Sequence, residues 1–431
     1  MAVIKPFRAV RYNNTLLKNV EGLVAPPYDV ISEEMKELFY DLSPYNVVRL
    51  ILGKEFADDS DDNNQYTRAR DFISLWLKKG VLVPDEADSI YGYSQTFTAP
   101  SGDSVTRSGF VALVRLSPWG EGGIFPHERT NPKPKSDRLT LTKTTGFWLS
   151  FIFSLYSDET GETRDLIKRV FDDRELARFK DKEGIEHVLT VCQDEELHGS
   201  LAKAFDDKKI FVADGHHRYE TALALKDEMG LEDKKIDTLN YAMMYFCPME
   251  GEGIVILPSH RVVTLPEEFD PAGFVEKIGR YFKVEKVSGG GGGGEGVSKF
   301  LSSVEGMGKG SFGCSLNGEE YYIFTLLDKS LISGFFPSSM NDLLKDIDMA
   351  ILRNVMIEGI MGISDPEIVY TKDGGEAIRM AADGRRAAFL INPTDMEDVK
   401  TVSLAGERMP QKSTYFYPKV SSGLLLYRLF D

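Results

Sequence analysis

The stretch IFVADGHHRYETALAL, residues 210–225, constrains the fold more than any other part of the chain. Its first residues are apolar and typical of a buried strand, whereas its second half has the composition and apolar spacing of a helix. Asp214 and Gly215 lie between the two, where glycine permits a tight turn or a close backbone approach. The segment therefore predicts a strand, a sharp turn and a helix. The residues that this prediction places in the first helical turn are His216, His217 and Arg218.

Three potential cations at the start of a helix need an explanation, because the positive end of the helix dipole disfavours them. A bound anion such as phosphate, which binds readily at helix N-termini, would explain their presence. Arg218 is suited to hold phosphate oxygens through two hydrogen bonds, and a histidine to relay a proton. Two alternatives stay open: Asp214 caps the helix while the histidines bond backbone carbonyls, or His216 and His217 bind a metal. Adjacent helical residues point about 100° apart, which disfavours the metal pair.

Composition narrows the class of partner. The formal net charge of −16 works against sequence-independent binding to nucleic acid, and no helix-turn-helix segment is recognisable. The chain has no long apolar run for a transmembrane helix and no apolar signal segment at its N-terminus. Three scattered cysteines form neither a disulfide framework nor a metal-ligand spacing. We expect a cytoplasmic protein with a small-molecule partner, and the oligomeric state stays open.

The order of strands and helices is irregular, which favours an α+β fold with mixed sheets and packed helices. Six consecutive glycines, Gly289–Gly294, predict a flexible loop. They form no phosphate-binding P-loop, because no Gly-Lys-Ser/Thr follows. We therefore expect an N-terminal α+β region over 1–287 that carries the site, a Gly-rich loop over 288–297, and a C-terminal α+β region over 298–431 packed on the first.

Three local predictions can be compared directly with the structure. Ser32 is expected to cap a helix that begins with acidic residues. Residues 127–138, HERTNPKPKSDR, are interpreted as a basic loop. Residues 340–362 have the apolar pattern of one long helix.

Two further stretches in the first half of the chain are candidates for the site. In PHERT, His127, Glu128 and Arg129 offer an acid, a base and an anion clamp, or simply a solvated charged loop. Tyr28 and Asp29 follow two prolines, which forbid helix and fix an extended approach. Asp29 is suited to bind Mg²⁺ or accept a hydroxyl proton, although it would equally cap a turn.

Two stretches in the second half carry weaker signals. The cluster in MPQKSTYFYPK is a second candidate anion contact; the alternative is an ordered tail that packs its aromatic residues on the core. The residues of that cluster are Lys412, Ser413 and Thr414. His260 and Arg261 follow Pro258 and are more typical of a structural role.

Several segments together carry a resemblance to a known family. ADGHHRYETAL, KPFRAVRY, VAPPYDVIS, PHERT followed by SDR, LPSHRVV, INPT and MPQKSTYFYPK occur in order along the chain, which resembles the domain of unknown function 1015 family. The Asp-Gly-His-His-Arg signature is similar to that of the free-serine kinases of the ParB/sulfiredoxin-like superfamily. The resemblance implies a ParB/sulfiredoxin-like element around the strand-turn-helix, with the helix N-terminus facing a nucleotide phosphate. Because family members are often encoded beside enzymes of the phosphorylated serine pathway, it also implies phosphoryl transfer or hydrolysis on serine or phosphoserine in serine metabolism.

The mechanism expected from these residues is phosphoryl transfer, which needs mainly positioning and charge stabilisation. Arg218 and Gly215 at the helix start hold phosphate, Mg²⁺ binds through Asp214 or Asp29, and ATP or ADP is the candidate nucleotide. The proton relay is assigned to His216, His217 or Glu128. The sequence leaves the direction open between a kinase and a phosphatase.

Two other classes of function remain. A metal-dependent hydrolase would use the histidines as ligands: His127, His216, His217 and His260. A non-catalytic nucleotide-binding module would resemble other ParB-like proteins.

Overall fold

The computed structural model describes residues 1–130, 132–230, 236–287, 294–316, 318 and 320–430. The glycine run predicted as a flexible loop lies outside the described residues except for Gly294. The chain forms two compact units, and the boundary between them at Val255/Ile256 comes before the expected Gly-rich segment. The first unit comprises Met1–Pro126, Thr130–Val255 and Pro418–Asp431; the second comprises His127–Arg129 and Ile256–Tyr417.

Strands and helices alternate irregularly along the chain. The strands are β1 (Ile4–Lys5), β2 (Val10–Tyr12), β3 (Leu82–Pro84), β4 (Tyr91–Thr98), β5 (Ser104–Arg115), β6 (Ile124–Phe125), β7 (Phe147–Trp148), β8 (Ile152–Tyr156), β9 (Arg174–Lys180), β10 (Glu186–Val191), β11 (Ile210–Asp214), β12 (Tyr241–Pro248), β13 (Val255–Leu257), β14 (His260–Thr264), β15 (Phe282–Lys286), β16 (Ser311–Ser315), β17 (Tyr321–Leu326), β18 (Ile368–Thr371), β19 (Arg386–Leu390), β20 (Tyr415–Tyr417) and β21 (Tyr427–Arg428).

The helices are α1 (Glu33–Leu42), α2 (Val48–Ile51), α3 (Gln65–Lys78), α4 (Pro132–Thr145), α5 (Glu162–Phe171), α6 (Glu195–Ala204), α7 (His216–Gly230), α8 (Pro271–Ile278), α9 (Gly294–Val304), α10 (Asp342–Lys345), α11 (Asp348–Ile351), α12 (Gly374–Met380) and α13 (Met396–Leu404). A π-helix spans Leu352–Ile360, and short 3₁₀ helices span Leu16–Gly22, Tyr28–Val30, Asp237–Asn240 and Lys329–Phe335.

The first unit is built on a nine-stranded mixed sheet. Its order is β6-β11-β8-β12-β5-β4-β10-β9, and β1 pairs with β5. The strand β11 runs parallel to β6 and antiparallel to β8, and this second pairing places Asp214 opposite Phe153. All residues of β8 are buried, so the strand that supports β11 belongs to the core. Each fully buried large apolar side chain in such a sheet stabilises the fold by roughly 1.5–3 kcal/mol relative to an exposed one.

The second unit has its own sheet of six strands in the order β15-β17-β16-β19-β14-β18. Each of its pairings is antiparallel. Phe312, Phe324 and Phe389 are fully buried at the centre of an apolar core between this sheet and the surrounding helices. Mixed and antiparallel sheets with packed helices confirm the predicted α+β class.

The local predictions have mixed outcomes. The Oγ of Ser32 accepts a hydrogen bond from the Met35 amide at 3.2 Å, which confirms the helix cap. The basic loop was predicted too long, because α4 already begins at Pro132, a position in the first turn where proline is well tolerated.

The long helix over 340–362 was also predicted incorrectly, because the segment forms α10, α11 and the π-helix instead. The break comes at Ile347, whose extended backbone (φ −86°, ψ 125°) points a buried side chain into the core of the second unit.

Within the described part of the chain, no helix combines the length and apolar character needed to cross a bilayer.

Candidate functional site

The opening motif forms the strand, turn and helix that its sequence predicts. Strand β11 ends at Asp214 and α7 begins at His216, so Gly215 is the single turn residue. Its φ of +100° is a conformation that L side chains rarely adopt. A Cβ at this position would also lie 2.9 Å from Nε of Arg218. Glycine is therefore required both for the turn and for the guanidinium that packs over it.

Asp214 lies between two cations of the first unit. Its Oδ2 accepts a hydrogen bond from Nη2 of Arg218 at 3.0 Å, and its Oδ1 from Nζ of Lys419 at 3.4 Å. Nη1 of Arg218 donates to the carbonyl oxygen of Phe151, which fixes the guanidinium from the side of β8. The three charged side chains are only 12–17% exposed, so their interactions are weakly screened. Together they carry a net charge of +1 at the start of α7.

The remainder of the motif anchors a neighbouring loop. The ring of Tyr219 stacks on Trp119 at 4.2 Å between centroids, and its hydroxyl donates to the Ser117 carbonyl at 2.8 Å. Glu220 accepts hydrogen bonds from Nε1 of Trp119 at 3.1 Å and from Oγ1 of Thr130 at 2.6 Å. The buried ring of His216 lies 6.3 Å from that of Trp119, whereas His217 is only partly buried. The two histidines therefore occupy different environments.

The second predicted stretch in the first unit lies within electrostatic range of this turn. Pro27 is extended (φ −57°, ψ 146°), and Tyr28 and Asp29 form a 3₁₀ turn after it. Burial raises the pKa of Tyr28 and the Asp29 carboxylate adds to the rise, while the guanidinium groups of Arg138 and Arg218 oppose it. The Arg138 guanidinium lies 4.0 Å from the Tyr28 ring. The structure thus brings Tyr28 and Arg218 into one neighbourhood, and Tyr28 is a neutral phenol there.

The second unit joins the PHERT and MPQKST stretches. The backbone of His127 accepts from Met409 at 2.8 Å, and the Arg129 amide donates to the Met409 carbonyl at 3.3 Å. Nε2 of the fully buried His127 hydrogen-bonds to Oγ1 of Thr414 at 2.8 Å. Glu128 is partly buried and Arg129 is exposed. Within this unit the loop is therefore paired with the C-terminal stretch instead of standing alone in solvent.

A turn over residues 410–414, here the Lys412 turn, receives side-chain hydrogen bonds on its backbone oxygens. Lys412 has φ +56° and is the non-glycine residue with positive φ among the described residues. Oγ of Ser413 donates to the Pro410 carbonyl at 2.6 Å. The buried Arg261 donates to the Ser259 carbonyl at 2.7 Å and to the Lys412 carbonyl at 3.3 Å. The hydroxyls and the arginine shape the backbone here.

His260 supports the same unit from β14. Its Nδ1 accepts a hydrogen bond from the Ile391 amide at 3.2 Å. Burial lowers the pKa of His260 to about 4, and the neighbouring Arg261 contributes to the decrease. The predicted structural role of His260 agrees with this geometry, since a neutral imidazole that accepts an amide proton fits a core position.

The sequence did not single out Lys419, Trp119 or Glu220. Lys419 ends the quoted MPQKSTYFYPK stretch, but it pairs with a residue 205 positions away, and no periodicity relates the two. Glu220 belongs to the motif itself, yet a glutamate in the first turns of a helix is ordinary.

Metal binding finds limited support in this arrangement. Among the described residues, no group of three or more His, Cys, Asp or Glu side chains is placed to hold a metal ion. Both carboxylate oxygens of Asp214 face cations, which makes this residue a poor metal ligand. His127 and His260 each use a ring nitrogen in a hydrogen bond within the second unit.

These features define an α+β protein with a charged strand-turn-helix that is suited to an anion. The chain belongs to the DUF1015 family: a family model described as "Protein of unknown function (DUF1015)" matches residues 4–350. The comparison with curated proteins finds no match to this chain.

Solved structures of remote similarity include a free serine kinase in complex with AMP, which is 14% identical with a TM-score of 0.36 and aligns over 74% of this chain and 93% of that chain. A conserved hypothetical protein from Pyrococcus furiosus is 13% identical with a TM-score of 0.37, over 74% of this chain and 95% of that chain. SbnI with a C-terminal truncation from Staphylococcus aureus is 9% identical with a TM-score of 0.37, over 72% of this chain and 84% of that chain. Scores this low carry no weight for function.

Proposed function

We propose that this chain is a phosphoryl-transfer enzyme that acts on serine or phosphoserine, with a phosphate group bound at the turn from Asp214 to Arg218. The observation that carries the proposal is the pair of cations on Asp214. Arg218 and Lys419 both contact the largely buried Asp214 carboxylate, so two cations lie at a helix N-terminus that itself favours anions. A phosphate group would interact favourably with both cations.

Each residue of the turn has a distinct part in the proposal. Asp214 and the Phe151 carbonyl orient Arg218, so that its remaining donor edge is available to phosphate in a fixed direction. His217, which is partly exposed, accepts the proton of the attacking hydroxyl. His216, buried beside Trp119, positions the start of the helix.

The reaction in the kinase direction forms a bond between the serine hydroxyl oxygen and the phosphorus of the nucleotide's terminal phosphate. The bond from that phosphorus to its bridging oxygen breaks, the nucleotide leaves with the electron pair, and the hydroxyl proton passes to His217. In the phosphatase direction water attacks phosphoserine and serine leaves. Both directions need the same cations, because charge on the transferred group dominates the barrier.

The choice of serine is supported by the resemblance of the Asp-Gly-His-His-Arg signature to that of the free-serine kinases. For the second unit, taken by itself, we propose that Glu128 acts as a base and that Arg129 and Lys412, both exposed, contact an anion. The hydrogen bonds of His127, Ser413 and Thr414 favour a supporting role for those three.

Mg²⁺ commonly accompanies nucleotide phosphates and needs only one or two protein carboxylates. Asp29, which is exposed beside Tyr28, fits that requirement better than Asp214, whose oxygens face Arg218 and Lys419. When bound, the ion would neutralise charge on the nucleotide phosphates.

The direct test supplies the purified protein with Mg²⁺ and either O-phosphoserine, O-phosphoserine plus ADP, or serine plus ATP, and follows phosphate, ATP and serine. We expect turnover in at least one mixture and a loss of at least tenfold in Lys419→Met. Lys208 is the matched control, since it is 15% exposed and lies 3.4 Å from Asp158, much as Lys419 lies from Asp214. Lys208→Met should keep the activity. Absence of turnover in all three mixtures would refute serine phosphochemistry.

A further inference from the structure

The segment Pro418–Ser422, here the C-terminal strap, contacts the candidate site of the first unit at two points. Lys419 reaches Asp214, as described above. Three residues later, the backbone of Ser422 pairs with Ala25: the Ser422 amide donates to the Ala25 carbonyl at 2.8 Å, and the reverse bond is 3.3 Å long. Ala25 directly precedes the two prolines that lead to Tyr28. The strap therefore links Asp214, which bonds Arg218, to the segment that leads to Tyr28, which lies within electrostatic range of Arg218.

One buried arginine holds the strap from the side of the sheet. Nη2 of Arg107 donates both to the carbonyl oxygen of Pro418 and to Oε1 of Gln95. Nε2 of Gln95 in turn donates to the carbonyl oxygen of Lys419 at 2.9 Å. Arg107 and Gln95 are almost entirely buried, and they stand on the adjacent strands β5 and β4. Two consecutive carbonyls of the strap are thus fixed by a single side-chain pair.

Arg107 also contacts β8, the strand that pairs with β11 at Asp214. Its guanidinium is 4.5 Å from the ring centroid of Phe153, the residue of β8 opposite Asp214. Arg107 holds two oxygens through Nη2 and lies against the Phe153 ring, so its guanidinium has little freedom to move. The position of Arg107 consequently determines where the backbone of Lys419 lies relative to Asp214.

We infer that Arg107 is a positioning residue for the phosphate site and acts through the C-terminal strap by placing Lys419 on Asp214. The inference rests on the proposed function, because it assigns a role in binding phosphate. Arg107 itself does not contact the ligand. Loss of Arg107 therefore weakens phosphate binding by no more than the contribution of Lys419 to that binding.

A double-mutant cycle tests this dependence. The affinity for O-phosphoserine is measured by titration calorimetry for the wild type, Arg107→Lys, Lys419→Met and the double variant. Arg107→Lys keeps the charge but replaces the planar guanidinium, whose Nη2 reaches both Gln95 and Pro418, by a shorter side chain that ends in a single ammonium group. We expect it to weaken binding about tenfold in the wild-type background and less than twofold when Lys419 is already methionine, since groups that act as one unit are not additive.

Two further variants separate positioning from general damage to the fold. Gln95→Glu keeps an acceptor for Arg107 but removes the donor to the Lys419 carbonyl. It should weaken binding of O-phosphoserine as Arg107→Lys does, and it tests the inference independently if Arg107→Lys folds poorly. Arg11→Lys alters another buried arginine, paired with Asp85 at 2.7 Å, and should lower the melting temperature without changing the affinity.

Equal effects of Arg107→Lys in both backgrounds, with normal wild-type binding, would overturn the inference and leave the proposed function intact. Failure of the wild type to bind O-phosphoserine would overturn the proposed function, and the inference with it.

Discussion

Two turns of this chain were both expected to contact phosphate, and they are built in opposite ways. At Asp214–Arg218 the charged side chains face one another, with two cations on one carboxylate. In the Lys412 turn, the donors of Ser413 and Arg261 go to carbonyl oxygens of the backbone. A cluster of lysine, serine and threonine in a sequence does not reveal which arrangement it will adopt. The arrangement becomes clear only from the groups that accept the hydrogen bonds in the structure.

This difference predicts different responses to mutation. Replacing a charged side chain of the first turn should weaken ligand binding with a small change in stability, because these charges are proposed to contact a ligand. Replacing Ser413 or Thr414 in the second turn should change stability with a small change in binding, because their hydroxyls support the fold of that unit.

The largest effect is expected at Arg218. Replacing it with methionine removes the fixed guanidinium and leaves Asp214 facing Lys419, so the affinity for O-phosphoserine should fall at least about a hundredfold, or about 3 kcal/mol. Titration calorimetry measures the change. Arg68→Met is the control, because Arg68 forms a comparably buried ion pair with Asp59 at 2.6 Å. Unchanged affinity in Arg218→Met would show that the first turn is not a binding site.

The second effect is a pH dependence of stability that arises from His260. Its pKa in the folded protein is about 4, against an ordinary value of 6.5, so the unfolded chain binds the proton more tightly. Stability from this group is complete above about pH 6.5 and is lost as the pH falls towards 4. A pKa difference of 2.5 corresponds to roughly 3 kcal/mol.

Urea unfolding at neutral pH and near pH 4.5 measures this loss. In His260→Asn, where an amide oxygen can still accept the Ile391 N–H, the loss between the two pH values should be smaller by roughly 2 kcal/mol or more. An identical pH dependence in the two proteins would contradict the assignment of His260 as a buried neutral histidine.

The sequence predicted the strand, the Gly215 turn and the helix correctly because all three depend on local properties: apolar runs, a glycine and helix propensity. It also placed Tyr28 among the site residues, and the structure puts Tyr28 within electrostatic range of Arg218. It missed Lys419, which is distant in sequence and becomes a neighbour of Asp214 only because the strap returns to the first unit. Long-range pairing of this kind leaves no periodic signal in a single sequence.

The errors in secondary structure have a related cause. The apolar pattern over 340–362 is helical throughout, yet Ile347 adopts an extended conformation with its side chain buried. Tertiary packing there overrides local propensity.

A third effect, of intermediate size, is expected at Thr414. Thr414→Val removes the hydroxyl from Nε2 of His127, which is fully buried, and an unsatisfied buried polar atom costs about 1–3 kcal/mol. Chemical denaturation should show that loss, with the affinity for O-phosphoserine within twofold of the wild type. Thr140→Val, which removes an exposed hydroxyl bonded within α4, should change stability by less than about 0.5 kcal/mol. A large loss of affinity without loss of stability would instead place Thr414 among the ligand contacts.

The smallest effect concerns the backbone of Lys412. A left-handed conformation costs an L residue roughly 1 kcal/mol that glycine avoids, whereas glycine gains entropy in the unfolded chain. Lys412→Gly should therefore be more stable than Lys412→Ala by about 0.5–1 kcal/mol in urea unfolding. Both variants lose the same charge, so a side chain that contacts phosphate would lower the affinity equally in both. If only the alanine variant lost affinity, the geometry of the turn, and not the ammonium group, would be what Lys412 contributes.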